Sequence, residues 1–197
     1  MNTLIFLMNP DGYPALTEDF VNGYRIYAIQ DILFDKFLDR NNIVIVSTAI
    51  NTDRYKEMKV LMESAGYNWL ELDSIINISQ LKHELQKQYN FKLDSEDTNI
   101  IYGGTNTSYE VMYSTDLSLG QFAKRNFNCQ LYLPLCADIT QPGICQIDKE
   151  MKAYSQVYDF INQNKLFDKV DILTRFADLK LPWKEKNNAW QIVYNRI

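Results

Sequence analysis

Short apolar runs alternate with longer segments of helical periodicity along this chain, and that alternation is the strongest constraint on its fold. The runs Thr3–Met8, Ile43–Thr48, Trp69–Leu72, Thr98–Tyr102, Cys129–Leu135 and Lys169–Leu173 read as strands. Most are apolar without a two-residue alternation, as in strands covered on both faces. Between them, apolar residues recur at spacings near three and four. Ile26, Ile29, Leu33, Phe37 and Leu38 form one helical face. Met58, Leu61, Met62 and Ala65 form a second, with Gly66 placed to cap it. Ile78, Leu81 and Leu85 form a third, and Asn77 and Gln80 ahead of it have capping-box spacing. Met112 to Lys124 and Lys149 to Asn162 supply two more helices. Such alternation predicts a three-layer α/β/α sandwich with a mostly parallel sheet of about six strands, joined by right-handed crossovers.

At 197 residues and 46% hydrophobic composition the chain suits one domain with a sizeable core. Residues 1–181 read as that domain. The segment 182–197 reads as a separate aromatic tail, because Pro182 and Trp183 break the pattern and Trp190, Ile192, Val193 and Tyr194 follow a polar stretch. Aromatic residues of this kind pack onto their own domain or cover a neighbouring subunit, and a homo-oligomer is the expectation. A net charge of −5 argues against a nucleic-acid partner, which needs clustered Lys and Arg. No apolar run approaches the length of a membrane span, so no membrane partner is expected. Met1–Met8 lacks a basic leader and breaks off at Asn9-Pro10, which reads as a first strand and not a signal peptide. Three cysteines without paired spacing fit a reducing, cytoplasmic setting.

In an open parallel sheet, ligands bind beyond the carboxyl ends of the strands, near the point where strand order reverses. The segments to inspect are Asn9–Pro14, Ala49–Asp53, Asp73–Asn77, Gly103–Glu110 and Cys136–Gly143. Neither a GxGxxG nor a GxxxxGK[ST] motif is present, and seven glycines leave little for phosphate loops. No cofactor is expected. The one histidine, His83, stands mid-helix between charged residues and reads as solvated, so neither a metal site nor a Ser-His-Asp hydrolase is supported. Gly104, Thr105, Asn106 and Thr107 form a glycine- and hydroxyl-bearing turn that suits a small-molecule ligand. Nucleotide binding there is the weaker alternative, since Glu110 one turn on opposes an anion.

The run Ile-Ile-Tyr-Gly-Gly-Thr-Asn-Thr-Ser-Tyr-Glu-Val over 100–111, a helix to Arg125, the strand from Cys129 to Pro134, and Ala137-Asp138-Ile139-Thr140 resemble the isochorismatase-like cysteine hydrolases. Gly104, Thr107, Val111, Asp138 and Thr140 fall on that family's pattern of strand, glycine, T-x-x-C-V, helix, strand and acidic-Ala-Thr turn. The resemblance implies a Cys nucleophile at a helix N-terminus, an Asp base at the end of the first strand, a Lys, and backbone N–H groups for the oxyanion. Glu110 stands where the Cys is expected. The first strand ends in Met8-Asn9 without a carboxylate, Asp11 following past Pro10, and Asp73-Ser74-Ile75 brings no Lys. All three catalytic positions look lost.

What remains as candidate chemistry is Glu110, Asp11, Ser108 and Cys136. Thr107 and Glu110 also have capping-box spacing, which gives Glu110 a structural role. Cys136, at the carboxyl end of the fifth strand, could face the same cleft, whereas Cys129 reads as core and Cys145 as a loop residue. The expected function is a catalytically degenerate relative of this family, retained for ligand binding or a protein contact. The alternative is an active small-molecule hydrolase, acting on an amide or vinyl-ether bond with an altered nucleophile. The family also commonly self-associates.

Overall fold

A computed structural model describes residues 2–8, 42–48, 53–72, 77–105, 111, 115–137 and 158–173. Six strands emerge where the apolar runs stand: β1 (Asn2–Met8), β2 (Ile43–Thr48), β3 (Asn68–Leu72), β4 (Thr98–Thr105), β5 (Asn128–Ala137) and β6 (Val170–Leu173). Every pairing is parallel, and the order across the sheet is β3-β2-β1-β4-β5-β6. Helix α1 (Asp53–Ser64) joins β2 to β3, and α2 (Ile78–Tyr89) returns the chain to β4. A short α3 (Leu119–Lys124) and the helical residues 158–164 follow.

Strand side chains sort onto two faces. Leu4, Phe6, Val44, Val46, Ile100, Tyr102 and Leu131 share one apolar cluster with Leu81, Leu85, Phe122 and Ile161, so α2, α3 and residues 158–164 cover that face. Ile5, Leu7, Ile43, Ile45, Trp69 and Ile101 cluster with Tyr55 and Met62 of α1 on the other. Helices on both sides of a parallel sheet make the three-layer α/β/α architecture expected. The first cluster is centred on rings: Phe6 stacks on Tyr102 at 5.1 Å between centroids, and Phe122 meets Phe127 edge-on at 5.1 Å. Such pairs contribute about 0.5–1.5 kcal/mol beyond their buried area.

Helix ends follow their local sequence. Asn77 caps α2 by accepting from Gln80 N at 3.0 Å, while Gln80 Oε1 accepts from Asn77 N at 3.0 Å. Gly66, at φ 85°, closes α1 in a Schellman arrangement, with Tyr67 N donating to Met62 O and Gly66 N to Glu63 O.

Two local expectations need correction. On α1, Met62 faces the core as expected, but Leu61, 46% exposed, and Ala65 do not; Tyr55, seven residues before Met62, is buried in their place. The helix expected from Met112 does not run unbroken to Lys124, because residues 115–118 form a turn. There Thr115 Oγ1 accepts from Leu117 N, and Ser118 Oγ donates to Thr115 O, so short hydroxyl side chains compete with helical bonding. Most strands lack alternation, as expected, with β5 and β6 the exceptions: buried Cys129, Leu131, Val170 and Ile172 are interleaved with half-buried Gln130 and Asp171. The predicted face from Ile26 to Leu38 and the tail 182–197 lie outside the described residues.

Candidate functional site

Strand order decides where a crevice opens. Beyond β1 the chain proceeds to β2 on one side, and beyond β4 to β5 on the other, so order reverses between β1 and β4. In parallel sheets the point of reversal, at the carboxyl ends of the two strands, is where ligands bind.

Gly104 stands at that point. It pairs with Met8 on β1 and with Cys136 on β5, so Met8, Gly104 and Cys136 form one row across three strands. A side chain at Gly104 is excluded twice over. Its φ is +155°, and a Cβ would lie 2.0 Å from the Met8 carbonyl oxygen. Glycine therefore lets β4 close on β1 at the mouth of the crevice. Just before it, Tyr102 is fully buried and donates its hydroxyl to Leu117 O at 2.8 Å, tying the turn ahead of α3 to β4. Burial pushes the Tyr102 phenol well above its usual range, so it remains a neutral donor. Val111, just past Glu110, is fully buried in the same cluster as Phe6, Met8 and Tyr102.

An irregularity in β5 sets which residue stands beside Gly104. Tyr102 pairs with Leu131 and Gly104 with Cys136, so two steps along β4 are matched by five along β5. Regular pairing would place Leu133 there. Pro134 lies in the extra length, where its missing N–H suits an interrupted ladder. The bulge thus brings the backbone of Cys136 into register with Gly104, near the end of β4. A proline inside an apolar run was the available sequence signal for it.

Thr105 ends β4 and pairs with Ala137. Asp11, Asn106, Thr107, Ser108 and Glu110 lie outside the described residues. Of the other expectations, Cys129 is a core residue at 1% exposure, with its thiol pushed far up by burial. His83 is exposed on α2. Among the described residues no group of His, Cys, Asp and Glu is placed to hold a metal ion, and no helix is long and apolar enough to cross a membrane.

One polar network escaped the sequence reading. Ser47, at the carboxyl end of β2, is fully buried and shares a hydrogen bond with the Tyr55 hydroxyl. Trp69 Nε1 donates to that same hydroxyl at 3.3 Å. Beside Ser47 in the sheet register lies Glu71, which accepts from Lys59 Nζ at 2.8 Å. Burial raises the Tyr55 phenol, and the bond to Glu71 raises Lys59, so both hold their protons at neutral pH. Ser47 and Tyr55 are sealed from solvent, at 0% and 2% exposure, so this trio ties α1 to β2 and β3 and offers no substrate access.

The order β3-β2-β1-β4-β5-β6 also serves dinucleotide-binding sheets. Their first turn needs three glycines at fixed spacing; the segment Asn9–Pro14 supplies Gly12 alone. No protein-family model matches the chain, and no curated protein matches it. Among solved structures it is similar to a nicotinamidase from Staphylococcus aureus, with 9% identity and a TM-score of 0.49, over 87% of this chain and all of that one.

Proposed function

We propose that the chain is a catalytically degenerate isochorismatase-like protein, retained to bind a small ligand at the turn Gly104–Thr107 or to make a protein contact. One observation carries the reading: the glycine that opens the family-like motif closes against Met8 at the reversal of strand order. Six residues beyond that glycine, where the resembled family has its cysteine, stands Glu110. A carboxylate is a much weaker nucleophile than a thiolate toward amides at neutral pH. It suits the positive end of a helix and the spacing of a capping box with Thr107. Neither the missing Asp on β1 nor the missing Lys after β3 is replaced at the same place in the sequence.

The test is incubation of the full chain with nicotinamide, isochorismate and simple carbamoyl substrates. No turnover is expected. Turnover that disappears in Glu110→Ala would replace this reading with an active hydrolase using a carboxylate. The register of Cys136 beside Gly104 favours a second form of that alternative, with the thiol as nucleophile; turnover abolished by Cys136→Ser but retained in Glu110→Ala would establish it.

A further inference from the structure

The amino ends of β4, β5 and β6 carry polar chemistry that the crevice does not use. On the face that α1 shares, β1 and β2 present Ile5, Leu7, Ile43 and Ile45. The same face of β4, β5 and β6 presents Asn99, Gln130 and Asp171. Asn99 is only 9% exposed, and its Nδ2 donates to Gln130 Oε1 at 3.1 Å. That bond leaves Asn99 Oδ1 and Gln130 Nε2 without a protein partner among the described residues. Asn99 is the buried member of the pair, and a buried amide is nearly always satisfied, by protein, water or a ligand. Both side chains line a cavity of about 260 Å³, together with Asp171, Glu96, Asp168 and Lys169.

We propose that this cavity binds a small neutral or cationic molecule carrying a carboxamide or urea group. An acceptor and a donor stand on adjacent side chains: Asn99 Oδ1 accepts an N–H, and Gln130 Nε2 donates to a C=O, the complement of an amide edge. Glu96, Asp168 and Asp171 outnumber Lys169 as charges, which disfavours an anion. The volume lies below the range of drug-sized sites, so the ligand has few heavy atoms. The site is at the opposite end of the strands from Gly104, and its occupancy does not depend on the chemistry of the glycine turn.

Acetamide is the probe, added to the full isotope-labelled chain while the side-chain NH₂ resonances of Asn99 and Gln130 are followed by NMR. Saturable movement of both is expected, with an affinity in the millimolar range typical of so small a ligand. Acetate, an anion of similar size, should leave them in place. The isosteric Gln130→Glu keeps the acceptor for Asn99 and removes the donor. It should weaken acetamide binding about tenfold, the scale of one lost hydrogen bond, with the Asn99 resonance reporting both fold and binding. No saturable shift in the wild type, an equal response to acetate, or unchanged affinity in Gln130→Glu would each overturn the proposal, the first showing a cavity that holds only water.

Discussion

Gly104→Ala perturbs the crevice at its narrowest point. The added methyl carbon would lie 2.0 Å from Met8 O and 3.0 Å from Met8 Cβ. Restoring a 3.0 Å separation from the oxygen requires parting β1 and β4 by about 1 Å, against a protein interior as dense as a crystal. These are the two central strands, paired over seven residues from Asn2 to Met8. Overpacking of this kind costs about 1–3 kcal/mol. Holding a residue with a side chain at φ +155° adds about 1–3 kcal/mol more. A total near 4 kcal/mol is a large share of the roughly 5–15 kcal/mol that stabilises an ordinary domain. With an m-value of about 2 kcal/mol/M, the urea midpoint should fall by about 2 M. Gly66→Ala separates the two contributions: Gly66 is exposed at φ 85°, so that variant should lose only about 1–2 kcal/mol of conformational energy. If the two variants shift the midpoint equally, close packing of β4 on β1 is not what requires glycine at 104.

Tyr55→Phe removes the hydroxyl shared by Ser47 and Trp69 and leaves two buried polar groups unsatisfied; thermal unfolding should show a loss of about 1–3 kcal/mol, and an unchanged melting temperature would argue against the network. Because burial raises the Cys129 thiol, unfolding releases its proton once pH passes the unfolded value of about 8.5, so stability present below that pH is lost above it, by up to about 1.4 kcal/mol per pH unit. Urea titrations at rising pH should show a shallower alkaline decline in Cys129→Ala than in the wild type, and parallel slopes would refute the assignment. Asn77→Ala should cost about 0.5–2 kcal/mol through the lost cap, read from the same titrations, with no loss counting against it. We also propose a homo-oligomer, a dimer first, whose interface includes residues from Trp183 onward: light scattering should show the full chain larger than one ending at Leu181, and a monomeric full chain or a truncated chain of unchanged oligomer size would refute it.

The strands were legible because their cause is local. Five- to seven-residue apolar runs such as Ile43–Thr48 have few alternatives to a covered strand, and Asn77 with Gln80 announces a capping box by spacing alone. What stayed hidden depends on contacts distant in sequence. Whether Leu61 or Tyr55 faces inward is settled by Ser47 and Trp69, which offer the Tyr55 hydroxyl its partners. Likewise the five-for-two register of β5 against β4 follows from pairing, and Pro134 marks only where it can occur. At the candidate site the sequence pattern puts Gly104 in a turn, whereas it is a paired residue of β4, and what requires glycine there, the Met8 carbonyl, belongs to another strand.

Those scaffold features tie the mouth of the crevice to the packing of the sheet. Gly104 is required by the approach of β4 to β1, and Tyr102 by the ring cluster and its bond to Leu117 O. Both requirements come from packing among β1, β4 and α3. Losing the glycine would force the central strands apart. At the mouth of the crevice the fold therefore fixes the glycine at 104 and the ring at 102 through contacts made by other strands and turns.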